Sequence, residues 1–165
     1  MYNISTFEEG HQDAIIKMIL NIQQNEFQVP ITIDDQPDLM IIPAFYQSKK
    51  GNFWVALHEN EVIGTIALID CGEGVGTLRK MFVKKEFRGK EFGIGQKLWD
   101  TLKIWAEEHD YKHIYLGTVE KLQAAIRFYE KNGFTWIEKA GLPESFPIME
   151  VDTHFYQYQI NSSNH

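Results

Sequence analysis

The sequence predicts an α/β (α+β) domain of three layers around a mixed central sheet. Three observations carry that reading. Residues 53–58 and 61–69 are two apolar, strand-like runs separated only by Glu59-Asn60, the pattern of a hairpin. Residues 77–85 read as a strand that enters a glycine-bearing turn and then a helix. Residues 114–118 read as a further strand, followed by a helical run and strands again. Hairpins give antiparallel pairs and a strand-loop-helix-strand unit gives a parallel one, so the sheet is mixed.

In chain order, residues 2–7 alternate loosely and are expected to form a strand. Residues 10–24 are expected to be helical, with Ala14, Ile15, Met18, Ile19 and Ile22 on one face. A polar loop covers 25–36. Pro37 suits the first position of a helix that continues over 38–48. After the hairpin, residues 71–76, Cys-Gly-Glu-Gly-Val-Gly, read as a loop. The helix over 93–109 turns Ile94, Leu98, Leu102, Trp105 and Ala106 inward. A second helix over 124–134 closes at Asn132-Gly133, since glycine readily takes the left-handed conformation that ends helices. Residues 134–138 and 153–160 complete the strands. No repeat, low-complexity run or linker interrupts the chain, so residues 1–165 are expected to form a single domain.

Composition narrows the function. The 165 residues are 44% hydrophobic, enough for an ordinary core. A net charge of −7 argues against general nucleic-acid binding, which needs a basic surface. No apolar run is long enough to cross a membrane, because 15–20 is broken by Lys17 and 62–69 by Gly64 and Thr65. The N-terminus lacks the basic start and apolar core of a signal peptide. Cys71 is the single cysteine, so no internal disulfide forms. These features together lead us to expect a cytoplasmic protein, either monomer or homodimer.

The chemistry concentrates in residues 81–98, Met-Phe-Val-Lys-Lys-Glu-Phe-Arg-Gly-Lys-Glu-Phe-Gly-Ile-Gly-Gln-Lys-Leu. A glycine turn opening a helix aims unpaired backbone N–H groups at one point, beside the positive end of the helix dipole. Arg88 and Lys90 add charge there, so a phosphate-bearing ligand is expected. A Walker loop is excluded, since Gly95 is followed by Gln96, Lys97 and Leu98 rather than Lys and Ser/Thr. A dinucleotide fingerprint fits poorly, because Leu98 stands where a third glycine belongs. The plain alternative is that Gly93 and Gly95 only shape a tight connection.

Together with Ile114-Tyr-Leu-Gly-Thr118 and the pattern Ala125, Tyr129, Gly133, Phe134, this loop resembles the GNAT superfamily of acyl-CoA N-acyltransferases. The resemblance is strongest over 53–134. It implies helices on both faces of the sheet and a V-shaped splay between strands 4 and 5, with acetyl-CoA in the splay and no metal. It implies a cofactor-binding set of Met81, Phe82 and Val83 near the thioester. Arg88, Gly89, Lys90, Phe92, Gly93, Ile94, Gly95 and Gln96 would surround the pyrophosphate, with Thr118 and Ala125 from the following strand and helix. The family's first basic or glutamine position is filled either by Lys90 or by Arg88-Gly89 with Glu91-Phe92 inserted. Leu122 stands where many members have an asparagine.

Acetyl transfer to an amine needs a base, because an alkylammonium has a pKa of roughly 10. It also needs donors for the developing oxyanion and a proton for the departing thiolate. The family pattern assigns the last role to Tyr129; the plain alternative is a core tyrosine. Leu78, Arg79 and Lys80 occupy the strand where the family often carries an acidic residue. The candidate bases are therefore Glu26, Glu73, Glu144, Glu150 and Asp152, with Glu26 preferred for its place in the loop expected to wall the acceptor pocket. Arg79 and Arg127 are candidates for an acidic acceptor group or the CoA phosphates, and equally for surface ion pairs. The histidines lack metal-ligand spacing, Cys71 has no partner histidine nearby, and the four tryptophans read as core or interface bulk. The expected function is an N-acetyltransferase that passes acetyl directly from acetyl-CoA to an amine of a small molecule or peptide. A negative overall field would favour a cationic acceptor. The alternative is a non-catalytic acyl-CoA-binding regulatory domain.

Overall fold

Strand alternation divides the core in two. A computed structural model describes residues 2–160. In it, strand β2 (Asn52–His58) sends Phe53 and Val55 to one face of the sheet and Trp54 and Ala56 to the other. Successive strand residues point to opposite faces, so a strand buried on both sides reads as a continuous apolar run. On the first face lie α1 (Gln12–Leu20) and α2 (Ile42–Tyr46), burying Ile15, Ile19 and Ile42. On the second lie α3 (Ile94–Glu108) and α4 (Gln123–Lys131), burying Leu98, Trp99, Leu102 and Ile126.

Among the described residues seven strands form one sheet in the order β1-β2-β3-β4-β5-β7-β6. These are β1 (Asn3–Thr6), β3 (Glu61–Gly72), β4 (Val75–Val83), β5 (His113–Thr118), β6 (Thr135–Ile137) and β7 (His154–Gln159), besides β2. The β4–β5 pair is parallel and the others are antiparallel. Parallel pairing covers only Val75↔His113, Gly76↔Ile114 and Thr77↔Tyr115. Beyond Thr77, β4 stays with β3 while β5 stays with β7, so the two strands separate as the V that the family resemblance implied. A second irregularity sits on the freed part of β4. Thr65 pairs with Phe82 and Ala67 with Arg79, leaving Lys80 and Met81 opposite Ile66 alone. Lys80 takes φ 54°, and its carbonyl accepts a hydrogen bond from the Thr65 hydroxyl at 2.7 Å. This is a β-bulge.

Three local expectations need correction. The helix expected over 38–48 is broken. Pro37–Met40 is a 3₁₀ turn and α2 starts only at Ile42. Pro43 lacks the N–H that a continuous helix would need, and its ring would meet the preceding turn. The expected loop over 71–76 is mostly strand, turned at Glu73-Gly74, both with positive φ. The first helix runs past residue 24, and Asn21–Glu26 widens to π geometry. Of the tryptophans, Trp54 and Trp99 are buried, but Trp136 is exposed on the edge strand β6. No helix of the described residues is long and apolar enough to cross a membrane.

The short α2 is tied down by a polar contact. Tyr46, fully buried, donates its hydroxyl to the buried Asp38 carboxylate at 2.5 Å. Removing that donor leaves a buried carboxylate short of a partner. Tyr46→Phe is expected to lower unfolding stability by about 1–3 kcal/mol in urea, with an unchanged m-value.

Candidate active site

Where β4 leaves β5 the sheet opens into a cleft of ≈ 820 Å³. It is lined by β4 from Leu78 to Val83, by the turn into α3, by Leu116, Gly117 and Thr118 of β5, and by the inner face of α4. The π-helical end of the first helix and the segment after it close the third side with Ile22, Gln23, Phe27 and Gln36. Of the sequence-expected residues, Met81, Phe82, Val83, Arg88, Gly89, Lys90, Gly93, Ile94, Gly95, Gln96, Thr118, Ala125 and Tyr129 all line this one cleft. Phe92 and Glu26 are not among its lining residues. The Phe92 ring packs edge-on to Phe87, centroids 5.8 Å apart.

One end is built for anions. Gly93 caps α3 at φ 63°, a conformation glycine adopts without steric cost, and its carbonyl accepts from Lys97 N at 3.0 Å. The first N–H groups of a helix have no partner within it, which leaves those of Ile94, Gly95 and Gln96 for the cleft. The Gln96 side chain is already spent on Asp100 at 3.0 Å and Asn132 at 2.9 Å, so its contribution is backbone. Arg79, Lys80, Arg88, Lys90, Lys121, Arg127 and Lys131 line the cleft against one carboxylate, Asp152, among the described residues. A chain of net charge −7 thus carries a cationic cleft.

Arg88 does more than add charge. Its Nε donates to Val83 O at 2.8 Å, and both terminal nitrogens grip the Glu26 carboxylate in a bidentate pair, Nη2 at 2.8 Å. The guanidinium also lies 5.6 Å from the centre of the Phe27 ring. Both Glu26 oxygens are therefore engaged, which counts against Glu26 as a base and makes it a brace between the first helix and the loop.

The other end gathers titratable groups. Asp152 lines the cleft, and burial pushes its carboxyl up to about 6, although Arg79 and Lys80 pull the other way. Gly117 of β5 makes room for it, because a Cβ there would overlap Asp152 Oδ2. The chain around it is pinned by Asp152 N to Met149 O at 3.0 Å and Thr153 N to Thr118 O at 2.9 Å. Tyr129 is buried, and burial first, then the Asp152 charge, raise its phenol well above the ordinary range. It stays protonated at neutral pH. Lys80 is lowered to about 8 by burial, which Asp38 partly opposes. Its ammonium donates to Gln36 Oε1 and lies 3.7 Å from Asp38. Arg79 Nη2 lies 3.9 Å from the same Asp38 oxygen. Among the described residues no group of three His, Cys, Asp or Glu side chains is placed to hold a metal ion.

The model of the Acetyltransferase (GNAT) family matches residues 16–134. A GNAT-family acetyltransferase from Staphylococcus aureus MU50 superposes with a TM-score of 0.94 at 39% identity, over 98% of this chain and 100% of that one. This chain belongs to the GNAT acetyltransferase family. An acetyltransferase from Streptococcus agalactiae 2603 matches 96% of this chain and 98% of its own, at 30% identity and a TM-score of 0.91. The N-acetylaspartate synthetase of Danio rerio is 34% identical over 99 residues, 59% of this chain. The match spans only 34% of that relative's length.

Family membership explains why the loop, β4 and α4 were legible as a unit. It did not reveal the acceptor end. Asp152 was one of five candidate carboxylates, and its signal is positional: it lies beside the β5 glycine that admits it. Gln36 ended the expected polar loop and Asp38 opened the expected helix over 38–48, and neither was singled out as a site residue. Leu122 lines the cleft and supplies an apolar wall.

The Asp152 environment has a thermodynamic signature. A carboxyl whose folded pKa, about 6, exceeds its ordinary 3.8 favours folding most below the lower value, and that contribution is lost as pH rises through the upper one. Asp152→Asn, which stays neutral, should therefore gain stability relative to the parent between pH 4 and pH 7.5, by ~1–3 kcal/mol. Denaturation at the two pH values checks this; an equal difference at both would show that folding does not raise the Asp152 pKa.

Proposed function

We propose that this chain is an acetyl-CoA-dependent N-acetyltransferase that acylates an amine of a small molecule or peptide directly. One observation supports it above the others. A single cleft joins a helix N-terminus suited to pyrophosphate with a protonated tyrosine and a carboxylate of raised pKa. Two carboxylate or phenol groups with pKa values pushed into different ranges are the usual mark of an acid and a base. The family of the chain and the named acetylated product of the Danio rerio relative fit an amine acceptor. A cytoplasmic setting is proposed with it, on the single cysteine and acidic charge.

The donor fits the residues present. The Ile94, Gly95 and Gln96 N–H groups and Lys90 would hold its pyrophosphate, and Met81 to Val83 would flank its thioester. When bound, acetyl-CoA supplies an activated acyl carbon. Asp152 accepts the proton of the incoming ammonium, a role its pKa of about 6 suits at neutral pH. Backbone N–H at the β4 bulge donates to the carbonyl oxygen as it gains charge. Tyr129 delivers its phenolic proton toward the sulfur, and the second proton, shed by the nitrogen once it is acylated, passes through solvent and restores the phenol. The new N–C bond replaces the C–S bond, and free thiol leaves.

Thiol release from acetyl-CoA in the presence of an amine panel tests this. Wild-type kcat/KM for the acceptor should fall with one proton below about pH 6, and Asp152→Asn should lower kcat on the order of 10²–10⁴-fold. Tyr129→Phe should lower kcat on the same order while leaving acetyl-CoA affinity nearly unchanged, because the acid acts as thiolate charge develops. Tight CoA binding without thiol release for any amine would instead support a non-catalytic acyl-CoA-binding domain.

A further inference from the structure

We propose that the acceptor carries a carboxylate a few bonds from its amine, an α-amino acid in the simplest form, and that Arg79 holds that carboxylate. The inference deepens the acetyl-transfer reading and rests on it for the identity of the acceptor end.

Arg79 lines the cleft with a side chain only 13% exposed. A guanidinium brings five N–H donors in a planar fork that matches a carboxylate. Among the described residues none of those donors makes a hydrogen bond. Its one ion pair, to Asp38 at 3.9 Å, is longer than a hydrogen bond. Asp38 is meanwhile shared with Lys80 at 3.7 Å and with the Tyr46 hydroxyl at 2.5 Å. One carboxylate thus faces two cations, and the cation with unspent donors is the arginine. Among the described residues no buried side-chain nitrogen lacks a partner, so these donors open to the cleft, where a ligand carboxylate would take the place of water.

The bulge explains how two adjacent residues serve one pocket. On a regular strand, Arg79 and Lys80 would point to opposite faces. With Lys80 at φ 54°, both reach Asp38 and both line the cleft. The opposing charge lies across the cleft on Asp152, whose carboxyl feels both cations. The arrangement complements a zwitterion: ammonium toward Asp152, carboxylate toward Arg79. An amine without an acid group would meet Asp152 but leave the Arg79 donors to water. The negative charge of the whole chain, which alone favours a cationic acceptor, is modified locally by Arg79 and Lys80.

The test uses the whole 165-residue chain saturated with CoA or acetyl-CoA. Free amino acids, their α-carboxamides and alkylamines without an acid group are compared, by calorimetric binding and by turnover. The wild type should favour an acid over its carboxamide at least tenfold in kcat/KM, chiefly through KM. Arg79→Gln should abolish that preference and Arg79→Lys should restore part of it, while both keep the thermal shift given by CoA. Equal use of acid and carboxamide by the wild type, or a preference that survives Arg79→Gln, overturns the proposal. Acetylation of alkylamines with amino acids ignored would overturn it while leaving acetyl transfer standing. Arg79-dependent binding of amino acids without any turnover would support it while removing the catalytic reading. If no amino acid is bound or acetylated, the proposal falls.

Discussion

The separation of β4 from β5 is the constraint on which the rest of this molecule depends. Two parallel strands that share three residue pairs and then diverge leave facing edges with unused backbone groups in the middle of a sheet. Buried backbone donors and acceptors need partners, so such a gap is stable only if side chains, water or a ligand occupy it. Here the bulge at Lys80 bends the free end of β4 away, and Gly117 lets the Asp152 carboxylate sit against β5. The same gap that costs the sheet its continuity provides an entrance for a long ligand and a buried place for titratable groups.

The cleft's third wall is attached from both sides. Arg88, from the loop after β4, binds Glu26 through both terminal nitrogens. Lys121, from the turn after β5, donates to Phe27 O at 2.9 Å. The widened last turn of the first helix therefore bridges the two strands that have separated. Widened turns of this kind recur at functional sites, where they redirect a few side chains without ending the helix. Beneath this wall, Gln23 and Gln36 exchange amide hydrogen bonds at 3.1 and 2.9 Å, and Gln36 accepts from Lys80. The acceptor end is thus a connected polar network in a mostly apolar core, with Asp38 buried beneath the Arg79 and Lys80 cations.

What the sequence disclosed was local. The Glu59-Asn60 hairpin, the Gly93 cap and the Asn132-Gly133 stop each follow from residues that are neighbours in the chain, and Glu59, Asn60, Gly93 and Gly133 all take positive φ. What it concealed depends on contacts across the fold. Pro43 is a local signal that the expected helix over 38–48 passed over. The Glu73-Gly74 turn was hidden because Gly72 and Gly76, which flank it, are strand residues and not loop. Glu26 was preferred for its loop position, yet its partner lies 62 residues away. Asp152 rises to prominence through Gly117, Arg79 and Lys80, none of which is near it in sequence. Bulges, too, leave little composition signal, and Lys80 is not a residue type that announces positive φ.

The gap between β4 and β5 is proposed as the seat of an acyl-CoA ligand. Amide chemical shifts on titration with CoA test it most directly. The largest changes should fall on the N–H groups of Ile94, Gly95 and Gln96 and on Met81, Phe82 and Val83, the two sets that flank the opening. Changes confined to other surfaces, or no change at saturating CoA, would contradict the claim.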